Sequence, residues 1–144
     1  MGAVFDKRLV KATVFRAASI ERFKDATCLH AAGRFEGAIY LCGYALECQL
    51  KYCFCLARGM AHMEEGEARR LGHRLPELLD AAGWARLLSG NRKLRELHVA
   101  FHDINRRWST EIRYSAERSS RRESERFLKD SRALLLWLRT ASRS

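Results

Sequence analysis

Proline is nearly missing from this chain of 144 residues: Pro76 is the only one. That leaves little room for structureless linkers, and the length suits one domain around one core. No internal repeat is visible, and no run alternates apolar and polar residues long enough to predict a strand. Membrane-length apolar runs are missing too. The uncharged stretch Gly37–Leu46 has ten residues, against the roughly 20 that a spanning helix needs. With no charged-then-apolar leader in view, the expectation is a cytoplasmic protein without a membrane anchor. Cysteine is present but odd in number. Cys28, Cys42, Cys48, Cys53 and Cys55 fall mostly in one predicted helix, which argues for free thiols in a core and against a disulfide framework. Acidic residues are outnumbered, 17 against 27 basic, for a net charge of +10. Lysine is scarce as well: 21 of the 27 basic residues are Arg. Arginine makes bidentate contacts with phosphate and stacks on bases, so an RNA or an acidic protein partner competes with a simply solvated surface.

What is present is helical punctuation. The segment Gly33–Lys51, GRFEGAIYLCGYALECQLK, is apolar on all sides before Glu47 and Lys51 arrive four residues apart. Such a helix is buried all round, and a carboxylate at its end demands a partner. A first helix is predicted from about Thr13 to Ala32, ended by Gly33, with residues 1–12 an extra turn or a frayed arm. The central helix follows over about Phe35 to Arg58. Residues 59–72 read as a polar, acidic loop. Pro76 opens a short helix that stops before Gly83, with His73 ahead of it in a capping or packing role. The next helix, about Leu87 to Asn105, sets Leu94, Leu97, Phe101, Ile104 and Trp108 on one stripe. Trp108–Ser120 reads as a basic loop. A last helix, about Glu123 to Thr140, turns Phe127, Leu134, Leu135 and Leu138 inward. The fold class expected is all-α, a single domain over 1–144 built as an up-and-down bundle of four to five helices.

The central segment, with Gly33-Arg34, Ala38, Tyr40-Leu41, Gly43-Tyr44, Glu47 and Leu50-Lys51, is followed by Gly72-His73-x-Leu75-x-x-Leu78-Leu79, by Trp108, and by Arg113-Tyr114. In this order the run resembles the HEPN domain, over roughly Phe15 to Leu138. The resemblance implies a HEPN-like helical bundle. It also implies an association with RNA cleavage, with defence or toxin–antitoxin modules, and with nucleotidyltransferase-type partners. Active members carry an Arg, four to six intervening residues and a His on the helix before the last. Arg92 with His98, and Arg95 with His102, fit that spacing. Here an imidazole would move the 2′-hydroxyl proton while a guanidinium neutralises the phosphate, without metal or cofactor. Lys93 and Glu96 depart from the small polar residue such members usually place after the Arg. In so Arg-rich a chain these pairs also arise by chance, and partly exposed structural histidines are the competing reading.

Arg95, His98 and His102 share one helix face, which Asn91 extends by a turn. The i, i+4 pair His98/His102 lacks a third ligand, so no metal is expected. Arg113 is read either as the buried partner of Glu47, alongside Lys51, or with Tyr114 as a binder of nucleotide phosphate and base. Tyr40, Tyr44, Glu47 and Lys51 lie on one line of the central helix. Arg106, Arg107, Arg121 and Arg122 complete a basic region suited to RNA. A homodimer is expected through the Leu94/Leu97/Phe101/Ile104 stripe. The competing function is a non-catalytic module that docks a nucleotidyltransferase or another acidic partner.

Overall fold

In the computed structural model, residues 9–108 and 118–141 are described. Chain order is β1 (Leu9–Lys11), α1 (Ala12–Ala31), α2 (Phe35–Ala57), β2 (His62–Glu64), α3 (Glu65–Leu71), α4 (Leu75–Ala81), α5 (Ala85–Gly90), α6 (Arg95–Arg107) and α7 (Arg121–Ala141). A 3-10 turn over Arg92–Leu94 separates α5 from α6. The described residues are all-α apart from one two-stranded ribbon.

Helix α2 is the axis of the molecule. Ile39, Leu46, Leu50, Cys42, Cys53 and Cys55 are buried on its different sides, as a helix packed all round requires. It packs most extensively on α1, then on α7 and α4. The turn between α1 and α2 depends on Gly33 at φ 78°, where a side chain would meet its own carbonyl. Inside that hairpin the Ser19 hydroxyl donates to the Ala45 carbonyl at 2.7 Å, which satisfies a polar group that is wholly buried. Phe127, Leu134, Leu135 and Leu138 of α7 close the other side of α2.

Three local expectations are corrected. Residues 9–11 are not a frayed arm: they pair antiparallel with β2, Val10 opposite Met63, and Met63 is fully buried. Three-residue strands are too short to show the alternation by which a strand is read. The acidic stretch is partly helix α3, with Glu65 and Glu67 in its first turn and Arg69 and Arg70 in its last. That order complements the helix dipole, and Glu65–Arg69 closes at 2.7 Å. The helix predicted over 87–105 is broken at Asn91, whose side chain accepts the Lys93 N–H at 2.9 Å. The four to five helices become seven α-helices among the described residues, because the short α3, α4 and α5 add to the long α1, α2, α6 and α7. No described helix is long and apolar enough to cross a membrane.

Candidate functional site

The stripe on α6 turns into the molecule. Phe101, Ile104 and Trp108 are buried, and Leu94 and Leu97 pack partly buried against the same core. The apolar surface expected to pair two copies is thereby mostly spent on folding, and Val99 remains exposed on this helix. The opposite face carries Arg95, His98 and His102, all exposed. They succeed one another at three- and four-residue intervals, so they stand in one row. None makes a hydrogen bond or ion pair with a described residue. Arg92 is exposed too, but it belongs to the 3-10 turn. Arg92 and His98 therefore do not share a helix as their spacing suggested, whereas Arg95 and His102 do. Asn91 does not extend the row, since it caps the break.

Trp108 ends α6 and closes the second constellation. Its Nε1–H donates to the Tyr40 carbonyl at 3.0 Å. The indole lies across Gly43, where a Cβ would fall inside the ring. Tyr44 meets Trp108 edge-on at 5.4 Å and Tyr40 at 5.0 Å, and the two tyrosine hydroxyls are 3.3 Å apart. One turn further along α2, Glu47 is buried. The Lys51 ammonium donates to Glu47 Oε2 at 3.1 Å, and His73 Nδ1 lies 2.6 Å from Oε1. Thus Tyr40, Tyr44, Glu47 and Lys51 do form one line, and His73 joins it from the corner between α3 and α4. The capping role considered for His73 is not the one adopted: Arg74 holds the N-cap position of α4 and has no side-chain cap. Residues 47 and 73 belong to two separate sequence signals, and no spacing rule could have paired them. Arg113 and Tyr114 lie outside the described residues.

The basic residues divide. Arg107 is held: it reaches Glu36 Oε2 at 3.2 Å and Glu123 Oε2 at 3.5 Å and donates to the Ser119 hydroxyl. Ser119 in turn bonds Glu36 through its N–H at 3.1 Å and through its hydroxyl. This clamp ties the start of α2 to the end of α6 and the approach to α7. Arg121 lies over the Phe35 ring at 5.0 Å. Arg106 and Arg122 are exposed, without a bond to a described residue. Between α6 and α7 opens a cleft of about 370 Å³, floored by Ile104 and Phe127 and rimmed by Asp103, Arg106, Arg126 and Asp130. Burial and the neighbouring Asp103 carboxylate hold the Asp130 carboxyl above its ordinary range.

Other reactive groups are spoken for. Burial pushes the Cys42 thiol up to about 12, against the pull of the Ser131 hydroxyl. Cys48 is pushed up to about 11 by burial and by the Glu47 charge, and burial also raises Cys55. All five cysteines are free, and the buried ones are poor nucleophiles. His30 Nδ1 lies 2.8 Å from Ser124 Oγ and its Nε2 3.9 Å from Glu125. Ser124 is completely buried, so this trio cannot meet a substrate. Among the described residues no three metal-binding side chains come together.

No family model matches the chain, and no curated protein or solved structure shows detectable similarity to it.

Proposed function

We propose that this protein is an RNA-binding domain of the HEPN type, which contacts the phosphate backbone through the exposed side of α6. The observation that carries this reading is the row Arg95, His98 and His102, exposed and unclaimed by any described side chain. A fold that ties Arg107 into three contacts but leaves this row in water keeps it available for an outside anion. Arg92 at the preceding turn, and Arg106 one turn beyond His102, lengthen the row. With a net charge of +10, the molecule also draws a polyanion from a distance. Neither His98 nor His102 has an orienting carboxylate among the described residues, so we assign both to phosphate contact. On that assignment His98→Ala and His102→Ala should each weaken RNA binding, while loss of an RNA-cleaving activity with binding intact would make them catalytic instead. The resemblance would make such a domain part of a defence or toxin–antitoxin module, and we carry that context as part of the proposal.

The test is binding to single-stranded RNA by fluorescence anisotropy over a range of salt. Affinity should fall steeply with salt. Arg92→Glu with Arg95→Glu should weaken binding and flatten the salt slope by about 0.7 for each phosphate contact removed. No binding at low salt would return the protein to the docking reading, with an acidic protein partner. Two copies meeting at Val99 would bring both rows into one groove, and that pairing belongs to the proposal. A mass of 16.6 kDa in light scattering at tens of micromolar removes the pairing and leaves single-copy binding untouched.

A further inference from the structure

Arg139, in the last turn of α7, is neither solvated nor paired along one edge of its guanidinium. Its Nε and Nη2 are shut off from solvent and have no hydrogen-bond partner. Those two N–H groups lie side by side in the guanidinium plane, as the fork that grips both oxygens of one carboxylate. A fork withdrawn from water and left empty is unfavourable to the fold. Burial, and then the like charge of Arg16 on α1, hold the Arg139 guanidinium below its ordinary range. Two contacts fix how α1 and α7 run past each other. His30 meets Ser124 at 2.8 Å, and the Arg132 guanidinium lies over the Phe23 ring at 5.5 Å. The helices are therefore antiparallel, and about two turns beyond Phe23 and Arg132 stand Arg16 and Arg139. Arg16, Ile20 and Phe23 form one row on α1, and Arg132, Leu136 and Arg139 form another beside it on α7.

No described carboxylate answers these three cations. Residues 12–20 of α1 and 131–141 of α7 contain no Asp or Glu. Glu21 and Asp25 of α1 pair with Lys24 and Arg22, across the helix from the Arg16 row. Between the cations the surface is apolar: Leu136 is 56 % exposed, and Ile20 and Phe23 are half-buried. We propose that the α1–α7 face docks a helix of a partner protein that carries a leucine between two glutamates about two turns apart. One glutamate meets the Arg139 fork beside Arg16, the other meets Arg132, and the leucine lies on Leu136. The two contact points are about 10 Å apart along the axis. That fixed spacing, with an apolar seat between, suits a helix and gives a lipid surface nothing to match. The unpaired fork gains its two oxygens on binding. The proposal stands independently of the RNA-binding reading.

The experiment uses the full chain and a labelled helical peptide of about 15 residues, long enough to hold a helix, with Glu, Leu and Glu on one row. Fluorescence anisotropy should show saturable binding to the wild type. Replacing both peptide glutamates by glutamine should weaken it about tenfold or more, and so should Arg16→Ala with Arg139→Ala in the protein. Arg74→Ala, an exposed arginine at the start of α4, should bind as the wild type does. Arg139→Met keeps the apolar stem and removes the unpaired fork. It should lose peptide binding yet melt, without peptide, no lower than the wild type; a purely structural arginine would lower the melting temperature when removed. A scrambled peptide of the same composition that binds equally well reduces the attraction to net charge and overturns the site. So does a wild type that binds no peptide, or an Arg139→Met that melts well below it. Anionic phosphatidylglycerol vesicles that bind in place of the peptide, and release on Arg16→Ala with Arg139→Ala, give the face to a membrane and overturn the helix.

Discussion

At Glu47 one buried carboxylate accepts from the Lys51 ammonium and lies 2.6 Å from His73 Nδ1. Its removal leaves an ammonium in a low-dielectric core, whereas Gln keeps a hydrogen-bonding group in place. Glu47→Ala should therefore lower the stability by about 3–5 kcal/mol, and Glu47→Gln by less. Urea midpoints would measure both, and equal midpoints for Ala and wild type would show that the carboxylate is dispensable. Gly43 is a second such position. Alanine there would overlap the Trp108 indole and cost about 1–3 kcal/mol or more, since the ring must leave the Tyr40 carbonyl to make room. A wild-type melting curve for Gly43→Ala would refute that packing. The thiols give a third test. Cys28 alone is exposed, while burial raises Cys42, Cys48 and Cys55 above the ordinary thiol range. Near neutral pH, alkylation of the folded protein should modify Cys28 first and the other four only after denaturation. Rapid labelling of a second cysteine without unfolding would contradict the packing around α2.

Among the elements, α6 shows how one sequence period serves two purposes. Its buried side was legible from Leu97, Phe101 and Ile104, and its open side from Arg95, His98 and His102. Its start was not, because the apolar spacing runs on through Leu94 and Leu88. A side-chain cap at Asn91 outweighs that continuity, a competition between local hydrogen bonds that periodicity does not weigh. On the facing side of α6, Asp130 meets Asp103 across the cleft to α7. Its folded carboxyl holds a proton to higher pH than the unfolded one does. Stability is therefore lost as pH rises from the unfolded pKa through the raised one. Asp130→Asn should flatten the melting temperature across that mildly acidic window and raise it at neutral pH. An unchanged pH profile would show the carboxyl to be fully solvated.

For the whole molecule, the sequence by itself determined the helical class, the central place of α2, the inward faces of α6 and α7, and the basic surplus. These follow from burial periods and charge counts, which are local along the chain. It also placed Glu47 next to Lys51, because four residues make one helical turn. Tertiary structure decided the rest. The ribbon of β1 and β2 joins residues some fifty positions apart, and strands so short leave no pattern to read. The clamp of Glu36, Arg107 and Ser119 draws on three segments, so Arg107, an expected RNA contact, is consumed inside the fold. His73 reaches Glu47 only because α4 docks on α2. A periodic pattern tells which face of an element is buried, but not which other element will cover it; the partners of a buried charge are settled when the faces meet.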